Sequence, residues 1–434
     1  MAALGAHSAG IGRDGSILTQ ILATKLYLPT PPHGFVERSR LVERLNRGLH
    51  SRFSLISAPA GFGKTTLVSD WLRQNDMPAA WLSLDEGDRD PARFLSYLVA
   101  ALQTLFAEIG TGLTEVLQAP QLPRIESILT PLLNELAAIP HHFALVLDDY
   151  HVIDAHDVEH AIAFLLEHLP PQMHLVIITR EDPMLPLARY RAQRQLTEIR
   201  DQDLRFTTSE TTLFLNQLMH LDLSAQEIAA LETRTEGWVA GLQLASLSLQ
   251  GRDNVAAFIR DFTGDNRYIM DYLVEEVLLG QSETVRSFLL QTAILERLSG
   301  PLCDAVTGQM GGQATLETLE RGNLFVVPLD DKRQWYRYHH LFGDVLRARL
   351  QAEAPEIMPE LHQNASVWYQ QHALLADAID HAFAANDIVR VAELAELGWP
   401  VIPSGLQPTT WLGWVKALPE ELVRLRPVLS AGYA

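Results

Sequence analysis

Short apolar runs alternate with amphipathic segments in the N-terminal part of the chain. Five of these runs are bounded by turn-forming residues, which is typical of fully buried strands. They cover residues 53–57, 79–83, 143–147, 174–179 and 196–200. Between them, segments such as 91–105 and 124–138 carry apolar residues at helical spacing. This alternation predicts an α/β domain over residues 24–206, with a parallel sheet and helices on both faces.

After Phe206 the pattern is helical almost without interruption. Residues 207–285 predict a helical lid domain, and residues 286–352 predict a smaller unit with a single hairpin, 324–329 with 334–338. Helices around one such hairpin suggest a winged helix. The sequence therefore predicts that an all-α lid and a winged helix follow the α/β domain.

The two ends of the chain differ in character. Residues 353–434 contain paired helical segments, which predict the start of a TPR-like helical-repeat solenoid. A solenoid normally needs several repeats and a cap, so we expect the chain to be the N-terminal part of a longer protein. Residues 1–23 are small, polar and without pattern, so they are predicted to be disordered.

The segment after the first predicted strand is the most informative one. It reads Ala58-Pro59-Ala60-Gly61-Phe62-Gly63-Lys64-Thr65-Thr66 and leads into a helical pattern. A strand, a glycine-rich turn ending in Gly-Lys-Thr and a helix predict a phosphate-binding loop of a nucleotide hydrolase, whose N–H groups turn toward the phosphates. Ala58 replaces the usual first glycine but removes no phosphate ligand. The predicted nucleotide-binding residues are Ala60, Gly61, Phe62, Gly63, Lys64, Thr65 and Thr66.

Individual side chains of this loop have predicted roles. Lys64 reaches the β- and γ-phosphates of the nucleotide, and the Thr65 hydroxyl binds Mg²⁺. ATP or ADP with Mg²⁺ is therefore the expected cofactor. The alternative is a glycine-rich turn that binds nothing, which the flanking strand and helix disfavour.

Two carboxylates follow the apolar run at 143–147. Open α/β sheets bind ligands at the carboxyl ends of their strands. Asp148 is predicted to hold Mg²⁺, directly or through water, and Asp149 to polarise the water that attacks the γ-phosphate. The next strand ends at Thr179-Arg180. Arg180 either stabilises charge in the transition state or forms an ion pair with Asp148 or Asp149.

Composition narrows the function class. The formal net charge is −19 at pH 7, so the chain is a poor general binder of nucleic acid. A basic patch remains at Arg180, Arg189, Arg191, Arg194 and Arg200, either as a solvated face or as part of the nucleotide site. No apolar run is long enough for a membrane span. The single cysteine, Cys303, excludes an internal disulfide and fits a reducing cytoplasm. The histidines lack convincing metal-ligand spacing.

Jointly, these residues resemble a known family. From about Thr24 to the end, the chain looks like the N-terminal half of the large ATP-dependent regulators of the MalT-like group in the LuxR class, which are signal-transduction ATPases with numerous domains (STAND). The resemblance also rests on Thr24-Lys25-Leu26, Val36-Glu37-Arg38-Ser39-Arg40-Leu41, Trp81-Leu82-Ser83-Leu84-Asp85-Glu86-Gly87-Asp88, Leu147-Asp148-Asp149-Tyr150-His151, Thr179-Arg180-Glu181-Asp182-Pro183, Asp203-Leu204-Arg205-Phe206, Gly237-Trp238-Val239-Ala240-Gly241-Leu242-Gln243 and Tyr338-His339-His340-Leu341-Phe342.

The resemblance implies a switch that regulates transcription. An ADP-bound resting form is closed by the winged helix, a small-molecule or protein inducer favours ATP, and the ATP form self-associates. Arg38 is implied to lie near the nucleotide and His339 to touch the β-phosphate of ADP, with His340 as the alternative contact. DNA binding is implied only for a C-terminal helix-turn-helix that these residues do not include.

The residues leave two other functions open. One is an ordinary P-loop ATPase enzyme with fast turnover, although no acceptor site or transporter signature is recognisable. The other is a nucleotide-independent scaffold made by the helical half. In the leading hypothesis hydrolysis is slow and resets the switch.

Overall fold

The computed structural model describes residues 21–31, 34–117, 119, 121–250, 255–262, 264, 266–399 and 408–433. They fall into two compact units. The first unit takes the residues up to Ser57 and then Lys64–Asp203, and the second takes Ala58–Gly63 and the residues from Leu204 onward. The segment predicted to be disordered lies, up to residue 20, outside the described residues. The division into five predicted domains stays a prediction.

The described part of the first unit contains a five-stranded sheet in the order β2-β3-β4-β1-β5, and its pairings are all parallel. The strands are β1 (Phe53–Ser57), β2 (Ala79–Ser83), β3 (Phe143–Asp148), β4 (Met173–Thr179) and β5 (Leu196–Arg200). The predicted parallel α/β fold is confirmed, and the predicted strands agree with these bounds to within one residue. In register, Ser57 pairs with both Thr179 and Arg200, so β1, β4 and β5 end together.

Helices surround the sheet and supply its core. They are α1 (Ser39–Gly48), α2 (Lys64–Gln74), α3 (Pro91–Gln103), α4 (Thr114–Leu117), α5 (Ile125–Ala137), α6 (His156–Glu167), α7 (Leu187–Ala192) and α8 (Asp201–Leu204). Helix α3 begins where the Asp90 carboxylate accepts a hydrogen bond from the Arg93 N–H at 2.8 Å. Phe94 and Leu98, on its apolar face, belong to a buried cluster that also includes apolar residues of the strands.

The second unit is mainly helical. Its first helices are α9 (Thr208–Thr212), α10 (Ala225–Thr235), α11 (Val239–Leu249), α12 (Val255–Asp261), α13 (Arg267–Leu273), α14 (Glu283–Thr292), α15 (Gly300–Thr307), α16 (Gly312–Arg321) and α17 (His340–Glu353). Thr207 and Glu210 form a capping box before α9, and Ser224 and Glu227 form another before α10.

A short hairpin lies between α16 and α17. Its strands, β6 (Val326–Pro328) and β7 (Tyr336–Tyr338), are antiparallel and shorter than the predicted runs. The Asp330 carboxylate orders the turn, since it accepts hydrogen bonds from the N–H groups of Lys332 and Trp335, both at 2.8 Å. The helices with this hairpin confirm the predicted winged helix.

The C-terminal part of the unit is helical, as predicted. It contains α18 (Met358–Gln371), α19 (Leu375–Ala384), α20 (Ile388–Gly398), α21 (Pro408–Lys416), α22 (Glu420–Arg424) and α23 (Pro427–Tyr433). In the described ranges, we find no helix with the length and apolar character that crossing a membrane requires.

Candidate nucleotide site

The phosphate loop, residues 58–66, connects β1 to α2. Helix α2 begins at Lys64, so its N-terminal N–H groups lie next to the loop. Gly61 and Gly63 have φ angles of 77° and 74°, which side-chain-bearing residues rarely adopt. These two glycines therefore give the loop the backbone shape that a phosphate cradle needs.

The loop segment Ala58–Gly63 belongs to the second unit, where α11 contacts it directly. The indole N–H of Trp238 donates to the Ala60 carbonyl at 3.0 Å, and the Ala240 N–H donates to the Gly61 carbonyl at 3.0 Å. The ring of Phe62 lies 6.4 Å from that of Phe325, between centroids. Trp238 belongs to the motif at 237–243, but nothing in that motif predicts its contact with the loop.

The predicted metal ligands lie together. The Thr65 hydroxyl is 3.2 and 3.1 Å from the two carboxylate oxygens of Asp148. Burial and the charge of Asp149 raise the pKa of Asp148 to about 7, against opposing hydrogen bonds and the charge of Lys64. A hydroxyl beside a buried carboxylate is an oxygen donor set that fits Mg²⁺, and the cation would supply the countercharge that this carboxylate needs.

Lys64 is 8% exposed and lies close to the same charges. Its burial, followed by the positive charge of Arg180, lowers the pKa of Lys64 to about 8, although Asp149 and Asp148 oppose this shift. A buried ammonium group beside a second cation is stabilised by an anion. The electrostatics of Lys64 therefore fit a phosphate.

Asp149 follows β3 in a left-handed conformation, with φ of 56°. Its side chain is 52% exposed, and its carboxylate lies 3.9 Å from Nδ1 of His151. Burial, followed by the charges of Arg180 and Lys64, lowers the pKa of His151 to about 4. His151 is therefore a neutral ring beside the predicted water-polarising carboxylate, a neighbour that sequence analysis did not assign.

The basic patch is largely neutralised. Arg189 pairs with Glu167 at 3.0 Å, Arg191 with Glu198 at 2.6 Å, and Arg200 with Asp182 and Glu198. Ser57, the last residue before the loop, also donates to the Asp182 carboxylate at 3.1 Å. The guanidinium groups of these three arginines are thus paired with carboxylates.

Arg38 lies at the start of α1, and its side chain is 6% exposed. His339 and His340 differ sharply in environment. His339 is 2% exposed, its ring centroid is 6.0 Å from that of Trp238, and its Nε2 lies 3.0 Å from the Thr235 carbonyl. The other ring nitrogen of His339 is buried, with no hydrogen-bond partner among the described residues. His340 is 53% exposed.

Glu236, which directly follows α10, binds the winged helix. Its carboxylate accepts two hydrogen bonds from Arg337, at 2.7 and 2.8 Å, and one from Arg205 at 2.9 Å. Nδ1 of His340 lies 3.2 Å away from it. Burial alone would raise the pKa of Glu236, but Arg337 and the other positive groups lower it to about 2. We call Glu236, Arg205, Arg337 and His340 the Glu236 cluster.

Comparisons with known proteins identify two domains in the chain. Residues 35–178 match the family described as the AAA ATPase domain, which spans the phosphate loop and Asp148. Residues 274–358 match the MalT winged helix domain, which spans the hairpin and His339. A STAND protein with a tetratricopeptide repeat sensor from Pyrococcus horikoshii is similar at 14% identity and a TM-score of 0.39, covering 93% of this chain and 57% of that one.

Sequence relatives cover most of the chain. It is 35% identical over 416 residues to the serine/threonine-protein kinase PknK of Mycobacterium tuberculosis, which is 95% of this chain and 37% of the relative. It is 37% identical over 370 residues to the HTH-type transcriptional regulator MalT of Klebsiella pneumoniae, which is 85% of this chain and 41% of the relative. The chain thus spans well under half the length of these relatives. The matches confirm the resemblance to the MalT-like regulators: the chain carries an AAA ATPase domain followed by a MalT winged helix domain.

Proposed function

We propose that the chain is an ATP/ADP-dependent regulatory switch, with an ADP-bound resting form and an ATP-bound form that self-associates. One observation carries the proposal. The loop segment Ala58–Gly63 is packed within the helical unit, against residues of the lid and the winged helix. A nucleotide held by this loop would therefore act directly on the helical unit, which a switch requires and a simple hydrolase does not.

The roles of the site residues follow their positions in the sequence motifs. Lys64 binds the β- and γ-phosphates, the loop N–H groups surround them, and Thr65 and Asp148 hold Mg²⁺. Bound Mg²⁺ would neutralise charge on the phosphates. Asp149 orients water, and the positive charge of Arg180 stabilises the charge that develops on the γ-phosphate. Arg38 lies near the nucleotide. Hydrolysis in this scheme is slow and returns the switch to its ADP form.

The two relatives support a switch that serves different outputs. One is named a protein kinase and the other a transcriptional regulator, and each matches this chain over well under half of its own length. A region shared by a protein kinase and a transcriptional regulator is best explained as the part that controls when each of them is active. By relation to MalT, we propose transcription as the output in this case, with DNA bound through a separate helix-turn-helix domain.

The remaining partners follow from the same proposal. A small-molecule or protein inducer shifts the switch from ADP to ATP. The net charge of −19 disfavours direct contact between this chain and DNA. A buried, unbridged Cys303 fits a reducing cytoplasm.

Identifying the nucleotide that survives purification tests the proposal. The protein is denatured after rapid desalting, and its nucleotide is separated by chromatography. We expect close to one adenine nucleotide per chain, mostly ADP. A protein that carries none, and that has no measurable affinity for ADP or ATP with Mg²⁺, would contradict the proposal. Fast steady-state turnover without an inducer would favour an ordinary ATPase instead.

Replacing Asp149 with alanine should slow hydrolysis and leave binding mostly intact. Correct placement of a water-polarising group contributes about 100-fold or more to a rate. We therefore expect single-turnover ATP hydrolysis to fall by about 100-fold, with little change in ATP affinity. Asp154→Ala removes an exposed carboxylate five positions later and serves as the control. An equal loss of ATP affinity in Asp149→Ala would instead identify Asp149 as a structural or metal-binding group.

His339 is the favoured phosphate contact over His340 because it is buried and its Nδ1 has no partner among the described residues. Its Nε2 faces the Thr235 carbonyl and so carries a proton, which leaves Nδ1 unprotonated in the neutral ring. Burial lowers the pKa of His339 to about 4. A nearby phosphate opposes this shift, since a negative charge favours the protonated ring, and Nδ1 could then donate to the phosphate.

Replacing His339 with alanine should release ADP about 10- to 100-fold faster, because a hydrogen bond to a charged group is lost. More of the protein should then enter the ATP-bound, self-associated form, measured by light scattering. His174→Ala is the matched control, since His174 is also a buried ring with a pKa lowered to about 4 by burial. His174 lies near the start of β4, at the opposite end from the loop-bearing sheet edge. Unchanged ADP release in His339→Ala would exclude His339 as a contact of the ADP phosphate.

A further inference from the structure

Two carbonyl groups of the phosphate loop have partners that phosphate binding does not require. A phosphate loop turns its N–H groups inward, so its carbonyls are free to bond elsewhere. The Ala60 carbonyl accepts the indole N–H of Trp238, and the Gly61 carbonyl accepts the Ala240 N–H, both at 3.0 Å. Both donors lie at the beginning of α11, so the start of this helix binds the carbonyls of two consecutive residues of the loop.

Helix α11 uses the same contacts to complete its first turn. The first N–H groups of a helix have no acceptor within it and need outside partners. Trp238 is the N-cap residue, and its side chain makes no capping hydrogen bond to α11. The Gly61 carbonyl supplies the acceptor for Ala240 in place of a capping side chain. The loop therefore caps the helix while the helix orients the loop.

Close packing fixes the indole in this position. Trp238 is fully buried. A Cβ atom on Gly241 would lie 2.5 Å from the indole Cε3, and one on Gly61 would lie 2.9 Å from the indole nitrogen. Real side chains do not tolerate such distances, so a glycine on each side leaves room for the ring. The indole has little freedom to move without disturbing the Ala60 peptide.

We propose that Trp238 is a positioning residue for the bound nucleotide, acting through the Ala60 peptide, and that α11 and the phosphate loop stabilise each other's conformation. This inference rests on the proposed nucleotide-binding function. Because coupling between two elements is reciprocal, a nucleotide that orders the loop also orders the start of α11. Loss of the indole hydrogen bond then releases the nucleotide faster.

A pair of tryptophan substitutions tests the proposal. Trp238→Phe removes the indole N–H and keeps an aromatic ring. Trp411→Phe is the matched control: Trp411 is 1% exposed, and its indole donates to the Ala395 carbonyl at 2.8 Å. Both variants lose one buried bond of the same kind. We expect a fluorescent ADP analogue to leave Trp238→Phe about 5- to 10-fold faster than wild type, and to leave Trp411→Phe at about the wild-type rate.

A second pair covers the case in which Trp238→Phe does not fold. Gly241→Ala displaces the indole without touching the loop, and Gly413→Ala adds a methyl group where the structure has nothing within 4 Å. Only Gly241→Ala should speed release. Hydrogen exchange supplies a readout that a purely structural role would not move. ADP should slow exchange of the Ala240 amide in wild type, and this protection should weaken in Gly241→Ala.

The outcomes distinguish failure of the positioning role of Trp238 from failure of the nucleotide switch itself. If wild type binds the analogue but Trp238→Phe and Gly241→Ala release it no faster than their controls, the positioning role is overturned and the switch proposal stands. If ADP does not change the exchange rate of the Ala240 amide in wild type, the positioning role is overturned as well. If wild type and Trp411→Phe bind no ADP analogue, the proposed function itself fails, and the role of Trp238 fails with it.

Discussion

Lys64→Ala is expected to weaken binding of ATP and ADP by at least about 100-fold, or about 3 kcal/mol. Lys64 is 8% exposed and lies at the first position of α2. Removing one member of a buried charge pair costs the attraction and also leaves the other charge unpaired. Here the uncompensated charge would be that of the phosphates. Titration with a fluorescent ADP analogue, with and without Mg²⁺, measures the loss.

The control for this prediction is Lys416→Ala, which removes an exposed lysine at the end of α21. It should bind nucleotide as wild type does, since the change in net charge is the same and only the position differs. Circular dichroism and thermal unfolding of nucleotide-free Lys64→Ala should match those of nucleotide-free wild type. Tight ADP binding by correctly folded Lys64→Ala would mean that the loop at 58–66 is not the nucleotide site.

The sheet and the loop could be predicted because their signals are contiguous in sequence. A strand buried on both faces reads as an uninterrupted apolar run, and β1, β3 and β4 are buried along their full lengths. The phosphate loop needs adjacent residues in one order, so nine positions were enough to identify it. The carboxylates Asp148 and Asp149, at the end of β3, could be assigned a role only from their place in this alternating pattern.

Contacts between distant segments could not be predicted in the same way. Trp238 and Ala60 are 178 positions apart, and neither carries a local pattern that names the other as its partner. The arginines near β5 looked like a basic patch because the sequence does not show which carboxylates face them. Likewise, the sequence leaves His339 and His340 as alternative phosphate contacts, because the burial that distinguishes them depends on packing around Trp238 and Phe325.

The Glu236 cluster is another set of such contacts in the second unit. Glu236 is 7% exposed and takes a left-handed backbone conformation, with φ of 49°. It sits between α10 and the Gly237-Trp238 start of α11, so the residue that bonds the winged helix directly precedes the segment that bonds the phosphate loop. A displacement of the winged helix would therefore be transmitted through Glu236 to the residues that bond the phosphate loop.

Replacing Glu236 with alanine should lower the free energy of unfolding of the second unit by about 3 kcal/mol. The change leaves Arg205 and Arg337, which are 25% and 24% exposed, without their shared carboxylate. We also expect faster ADP release, because the winged helix is no longer tied to the start of α11. Chemical denaturation followed by tryptophan fluorescence measures the first effect, and release of the ADP analogue measures the second.

Acid dependence separates the charge of Glu236 from its size. The folded-state pKa of about 2 lies below the ordinary value of 4.5, so the stabilisation is complete above about pH 4.5 and is lost as the pH falls toward 2. The difference in unfolding free energy between wild type and Glu236→Gln should therefore be constant near neutral pH and shrink below about pH 4.5. Glu420→Gln, whose pair with Arg424 is 75% exposed on both sides, should differ little from wild type at any pH. A Glu236→Gln difference that persists unchanged at pH values near 3 would show that the cluster depends on shape and hydrogen bonding rather than on the carboxylate charge.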